Sequence, residues 1–379
     1  MQCNDLLDKC KPYTETIRFA RISRREYPAD CVGRNASAGI YPVFAEECKG
    51  AWVNGMQINP HIDNLRVVNC TDPAMITTNP KNWDFISQNI PVVAERVQAN
   101  IDAMACTLAQ KASPAEAWAV IFRKPEAKHW NEVKVAIKPN ASQNNVTRVA
   151  VINAVCKALI GLGVLQENIA MYGCHRKGLM DKTTNYRPFL GKGLPSGIVL
   201  SDGHESVGGT VKVAIPKPQA GDHECAAALA HGTVDILVNI ATNKGHIFDS
   251  IGGISLTMKN HAGTFLFPVT KHFTSDGLRW IIAINKSDAI LGGTIPRQQL
   301  CIVDSLWAMK KGPPGVPTNR PCSISMGTFG PAVDWVVTKR IREPIMGCNH
   351  PAFLSMIPIE FGYEPSTFES LDFVDVRPA

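Results

Sequence analysis

The sequence predicts an α/β fold: a mixed, largely parallel sheet with flanking helices, preceded by an irregular Cys-rich N-terminal extension. Three observations predict it. Short apolar runs with almost no charge, at 133–137, 168–172, 235–240 and 300–303, read as buried strands. Helical-period segments alternate with them, and one strand–helix–strand passage fits within about 40 residues, so part of the sheet is parallel. Residues 1–64 instead hold four cysteines among frequent Gly, Pro and Asn, with no lasting period.

After that extension, Leu65–Val68 is a short strand candidate. The stretch from Pro91 to Leu108 places Val93, Val97, Ile101, Met104, Ala105 and Leu108 on one face, an amphipathic helix with proline at its start. Glu116–Phe122 is a second, shorter helix. These form a helical lead-in, 65–130, to an α/β core over 131–345. In the core, Val133–Ile137 is a strand. Thr147–Leu162 is a helix with Val149, Ile152, Cys156, Leu159 and Ile160 inward, stopped by Gly161 and Gly163. Asn168–Tyr172, Asp235–Ile240 and Leu300–Val303 are strands, and Pro331–Ile341 is a helix. The tail, 346–379, turns acidic and aromatic from Pro358 and is expected to pack on the surface.

Composition narrows the function. In 379 residues, 45% are apolar and 19% charged, which suits a packed core. Lys plus Arg exceed Asp plus Glu by 39 to 33, a net charge of +6. That mild excess permits a small anionic ligand, and the absence of a basic-aromatic array argues against nucleic acid. No apolar run approaches the length of a membrane span. The start, Met1-Gln2-Cys3-Asn4-Asp5, carries no signal segment. Six of the 12 cysteines precede residue 107 and none forms CxxC, which removes the local signatures of zinc ribbons, ferredoxin clusters and c-type haem. Disulfides in the N-terminal part and free thiols both remain open; Cys156 and Cys301 read as buried thiols. Five Asn-x-Ser/Thr triplets occur, at Asn35, Asn69, Asn140, Asn145 and Asn285.

Polar clusters follow three of the strands, where open α/β sheets gather their ligands. Lys138-Pro139-Asn140 follows the first. Tyr172-Gly173-Cys174-His175-Arg176-Lys177 follows the second. Asn239-Ile240-Ala241-Thr242-Asn243-Lys244-Gly245-His246 leaves the third, and Gly252-Gly253 leads on to Lys259-Asn260-His261. Glycines free backbone N–H groups for an anion, lysines add charge, and imidazoles bind metal or move protons. Asp304 is a further strand-end carboxylate. Asp222-His223-Glu224-Cys225 reads as an acidic helix start rather than a metal tetrad. Neither a Walker A loop, a Rossmann fingerprint nor GxSxG is present.

The runs Val133–Asn140, Asp235–His246, Ser255–Gly263, Cys301–Asp304 and Ala332–Val336 resemble the domain of unknown function 362 family, with Leu65–Val68, Asp72-Pro73 and Ala117-Trp118 resembling its longer exported bacterial members. The likeness spans roughly 65–345. It implies a mature exported protein, periplasmic or extracellular, and hence favours disulfides; the iron–sulfur modules of some members lack their cysteine spacing here. A more distant likeness, to nickel-pincer lactate racemase, rests on His175-Arg176, Lys244-Gly245-His246, Gly252-Gly253, Lys259 and His272, with Lys177 where that enzyme has proline. It implies a site lined by His and Lys.

The first reading is therefore an enzyme acting on a small organic anion. His175, Lys259, His261 and Asp304 are its catalytic candidates. Lys138, Asn140, Lys244, Gly253 and Asn260 would hold the ligand or cofactor, and His175, His246 and His272 a divalent metal. Asp304 would orient a histidine or complete the metal site. The second reading is a non-catalytic exported binding or assembly protein that uses residues 1–64 to form a homo-oligomer. A third is a redox protein using distant paired thiols.

Overall fold

The computed structural model describes residues 56–141, 145–173, 193–201, 203–266, 271, 274–312 and 315–379, all within the unit that runs from Ala45 to Ala379. The strands in chain order are β1 (Val67–Thr71), β2 (Val135–Pro139), β3 (Ile169–Met171), β4 (Val199–Leu200), β5 (Thr210–Ile215), β6 (Gly221–Ala226), β7 (Ile236–Gly245), β8 (Ile254–Ser255), β9 (Gln298–Met309), β10 (Ser323–Gly327) and β11 (Phe373–Asp375). Among the described residues nine of them make one sheet, in the order β11-β1-β10-β9-β7-β2-β3-β4, with β8 paired to the end of β7; β5 and β6 form a separate ribbon. The run from β9 through β7, β2 and β3 to β4 is parallel. Strand β10 is antiparallel to both β9 and β1. The fold is thus of the predicted class.

The two-residue period of a strand divides the core into two layers. On one face Ile236, Val238 and Ile240 of β7 pack with Leu300 and Ile302 of β9. Helices α1 (Ala94–Ala109), α2 (Pro114–Ile121) and α3 (Val149–Gly161) cover them with Val97, Ile101, Trp118 and Ile152. On the other face Leu237, Cys301 and Val303 meet a second set of helices. Of these, α4 (Thr257–Asn260) supplies Met258 and α5 (Gly277–Lys286) supplies Trp280. The other two, α6 (Gly330–Val336) and α7 (Pro351–Glu360), supply Val333 and Ile357. Helix α2 starts where the sequence dictates: Ser113 caps it by accepting from the Glu116 N–H, and Pro114 fills the first turn.

Several expectations change. Residues 65–130 and 346–379, read as a lead-in and a tail, each place a strand in the core sheet: β1 pairs with β10, and β11 pairs parallel with β1. The tail aromatics go inward rather than onto the surface, with Phe361 and Phe368 fully buried against Phe329 and Trp335. Asp222–Cys225 is not a helix start but part of β6, because its residues pair with Val211–Ala214 of β5. The seven described cysteines are free. Cys70 and Cys106, expected among the N-terminal disulfide candidates, are unpaired, since one lies in the apolar core on β1 and the other on helix α1. Cys156 and Cys301 are buried thiols, as read. Residues 1–55, with Cys3, Cys10, Cys31 and Cys48, lie outside the described residues, as does Cys174. Asn69, Asn140, Asn145 and Asn285 are all buried, so in the folded chain they are not glycan acceptors. Among the described residues no helix is long and apolar enough to cross a membrane.

Strand β7 ends under a tight crossing. A Cβ at Gly245 would sit 2.1 Å from the Lys310 carbonyl oxygen and 2.9 Å from its carbon. Gly161, at the exposed end of α3, has nothing within 4 Å of the same point. Gly245→Ala is therefore expected to lower unfolding free energy by roughly 1–3 kcal/mol, the range for overpacking. Gly161→Ala should raise it by about 0.5–1 kcal/mol through helix propensity. Urea denaturation of both variants checks the contrast, and a harmless Gly245→Ala would refute the close approach.

Candidate functional site

The carboxyl ends of β2 and β7 carry a continuous layer of buried polar side chains. Strand β7 breaks register with β9 between Thr242 and Lys244, so its last residues leave the regular ladder. There Lys244, 2% exposed, donates from Nζ to Asn140 Oδ1 at 2.8 Å. Asn140 begins the turn after β2, anchored by its N–H to the Ile240 carbonyl at 2.9 Å. Its amide reaches Asn260 Oδ1 at 3.4 Å. Asn260 in turn donates to the Lys138 carbonyl at 3.0 Å and to Asn239 Oδ1 at 2.8 Å. Lys138, 1% exposed, lies over the Tyr172 ring at 5.7 Å and donates to the Pro139 carbonyl at 2.9 Å.

His261 closes this layer. Its Nε2 lies 2.5 Å from Gln298 Oε1, which can only accept, so Nε2 carries the hydrogen. Nδ1 must then accept from the Thr264 hydroxyl at 2.9 Å, and that hydroxyl accepts from Tyr172 at 2.8 Å. Asn239 spends its two amide hydrogens on Thr257 O at 2.8 Å and Gln298 Oε1 at 3.0 Å. Burial, reinforced by the charge of Lys138, holds the His261 imidazole down to about 3 against the opposing pull of Gln298. The ring is neutral at physiological pH and serves as a fixed donor and acceptor.

The other sheet face holds a different arrangement. Asp304 is fully buried, and its carboxylate accepts from the Arg148 main-chain N–H at 2.9 Å and the Leu306 N–H at 3.1 Å. The Arg148 guanidinium lies 3.4 Å away and stacks over Trp307 at 4.9 Å. Arg148 also donates to Asn145 Oδ1 at 2.8 Å. Asp304 thus meets an arginine and the start of α3 where a histidine or a metal was expected.

The structure therefore brings Lys138, Asn140, Lys244, Asn260 and His261 together and places Asp304 apart from them. Lys259 is half-buried on the same turn as Asn260. His246 is half-buried, its N–H donates to the Gly253 carbonyl at 2.8 Å, and its Nδ1 accepts from the Phe248 N–H at 3.2 Å. Gly253, with φ +68°, is pressed against His350: a Cβ there would fall 2.9 Å from the His350 Nδ1. His175 and His272 lie outside the described residues. Among the described residues no three His, Cys, Asp or Glu side chains gather to hold a metal ion.

Sequence reading took Asn239 only as the first residue of the strand-end run Asn239–His246 and gave no role at the site to Gln298, Arg148 or Asn145. Asn239 left a signal, a single amide inside the apolar run Asp235–Ile240. Asp334 is the brace of the site. From α6 it accepts from Thr257 N–H at 2.8 Å, Thr257 Oγ1 at 2.6 Å and Met258 N–H at 2.8 Å. It thereby fixes the start of α4, the turn that carries Lys259, Asn260 and His261.

The fold and this layer define an α/β protein with buried lysines, amides and one neutral imidazole at the strand carboxyl ends. Comparison with family models and with curated proteins finds no match for the chain.

Burial pushes the Asp334 carboxyl up to about 7, against the three hydrogen bonds that pull it down. Its folded value lies above its unfolded one, so its contribution is complete below about pH 4 and is lost as pH rises through about 7. Wild-type protein should lose more stability between pH 5 and pH 8 than Asp334→Asn, which cannot ionise. Urea unfolding at both pH values measures this, and parallel losses would place the titration elsewhere.

Proposed function

We propose that the protein is an enzyme that holds a small organic anion at the carboxyl ends of β2 and β7, in keeping with its resemblance to the domain of unknown function 362 family. One observation carries the reading: two buried ammonium groups share one polar layer, Lys244 donating to Asn140 Oδ1 and Lys138 to the Pro139 carbonyl, with Asn260 bridging Asn140 and the Lys138 carbonyl. Taking an ammonium out of water costs several kcal/mol, so its retention in a buried layer calls for a purpose beyond packing. A carboxylate entering there would gain charge-assisted bonds from the lysines and neutral donors from the asparagines. Position at the strand ends of a parallel sheet is where such folds place ligands.

In this reading Lys138 and Lys244 hold the anion, and Asn140 and Asn260 orient it. His261, neutral with its Nε2–H on Gln298, positions Asn239 and the floor of the site rather than taking a proton. Proton transfer is assigned to His175 or Lys259. A divalent metal would need His175 and His272 together with His246, and elemental analysis of natively purified protein tests that part separately.

The test of anion binding uses the full chain with glycolate, lactate and pyruvate, read by isothermal calorimetry and by thermal unfolding. A ligand present at 100 times its Kd adds about 2.7 kcal/mol of stability. We expect at least one of these anions to raise Tm, and Lys244→Met and Lys138→Met each to weaken its binding by about tenfold or more, about 1.4 kcal/mol. Binding that survives both substitutions unchanged, or no binding by any of the three, would sink the proposal.

A further inference from the structure

One cluster of reactive groups has no part in the site above. Arg342 follows α6 and is fully buried. Its Nη1 donates to Asn243 Oδ1 at 2.6 Å and to the Met309 carbonyl at 3.2 Å. Its Nη2 donates to the Lys310 carbonyl at 3.1 Å and lies 3.7 Å from Cys348 Sγ. The buried Nε has no partner. None of these partners is a carboxylate. Burial draws the guanidinium down to about 10, which still leaves it charged at neutral pH. A buried cation whose neighbours are neutral oxygens and one sulfur has no counter-ion beside it.

Cys348 is half-buried, and its Sγ also lies 4.0 Å from the Met346 carbonyl. His350, two residues on, is held down to about 4, by burial first and then by Arg342, so it is neutral and adds no charge; its buried Nε2 has no partner. Of the acids near this cluster, Glu343 is paired with Lys339 at 3.0 Å, and Asp249 faces His350.

The other half-buried cysteine among those described is Cys106, and its setting is opposite. Burial and the carboxylates of Asp102 and Glu116 push its thiol up. Burial likewise raises Cys70 to about 11 and Cys156 and Cys225 to about 12, and raises Cys301 well above its ordinary value.

We propose that Cys348 is a covalent-modification site for small electrophiles and hydroperoxides, its thiolate held by Arg342. With a hydroperoxide the sulfur attacks one peroxide oxygen, an S–O bond forms and the O–O bond breaks. The leaving oxygen takes up a proton, the sulfur is oxidised to sulfenic acid and the peroxide is reduced to water or an alcohol. Because Arg342 also holds Asn243, the neighbour of Lys244, an adduct on Cys348 acts on the grip at the end of β7.

The test is alkylation of the full chain with limiting iodoacetamide across pH 6–9, followed by digestion and mass spectrometry of the peptides containing Cys348 and Cys106. Iodide leaves as the S–C bond forms, so the rate follows the thiolate. At pH 7 Cys348 should react at least about tenfold faster than Cys106, with half-maximal rate below the ordinary thiol value near 8.5. In denaturing urea the two should converge. Equal or slower reaction of Cys348 in the folded chain, or half-maximal rate at or above that value, would overturn the proposal. Arg342→Gln should slow Cys348 about tenfold at pH 7 and leave Cys106 unchanged; an unchanged Cys348 in the folded variant would also overturn it. Should that variant not fold, the wild-type pH profile decides alone.

Discussion

The ion pair between Asp304 and Arg148 is the joint on which the sheet and its first crossover helix depend. Both groups are fully buried. Removing two charges from water costs several kcal/mol for each ion, and their attraction alone does not reliably repay it. What makes the arrangement tolerable is that the carboxylate also takes two backbone N–H groups, one of them at the start of α3. The arginine spreads its charge over Trp307 and ties back to Asn145, whose amide reaches the Asn243 carbonyl of β7. A single carboxylate therefore sets where α3 begins and interrupts the apolar run of β9, which resumes at Leu306. Thr147, next to Arg148, accepts the Asn140 N–H at 2.8 Å and so ties the start of α3 to the site.

On the opposite face the constraint is hydrogen-bond completeness rather than charge. Asn239, Asn260, His261 and Thr264 each serve as both giver and receiver, between the Tyr172 hydroxyl that gives and the Gln298 carbonyl that receives, so the identity of one fixes the orientation of the next. Such a network is rigid because any rotated amide leaves a buried group unsatisfied. The short helix α4 is too brief to hold itself and is pinned by Asp334 from outside. Rigidity at the strand ends is thus imported from α6, two hundred residues along the chain from β2 by rough count.

Much of this was legible in the sequence, for a simple reason. Strands β2, β3, β7 and β9 are almost wholly buried and each contains a short run of mainly apolar residues, while α1 and α3 show their apolar stripes at helical spacing. Helix α5 did not stand out, because it is short and buried at every residue but Arg279, its polar Asn285 and Lys286 included. Strand β10 hid its nature in Ser323 and Ser325, polar residues buried between β1 and β9, where Ser325 donates to Asn69 at 2.9 Å. Strand β6 hid behind Asp222, His223 and Glu224, polar residues that an exposed ribbon accepts. The lysines of the site were visible as strand-end residues. Their amide partners were not, because a buried Asn or Gln looks like any polar residue until its neighbours across the sheet are known.

The edge made by β11 has a consequence for how the chain comes to its fold. Asn69 of β1 bonds Asp375 across 306 residues of sequence, and the two strands run parallel. On the ribosome β1 emerges long before the segment that covers it. Its outer row of backbone donors and acceptors stays open through most of synthesis, a template for pairing with other chains. A chain built this way gains from a chaperone that shields early β1, and a nascent chain stalled short of β11 presents a sticky sheet edge.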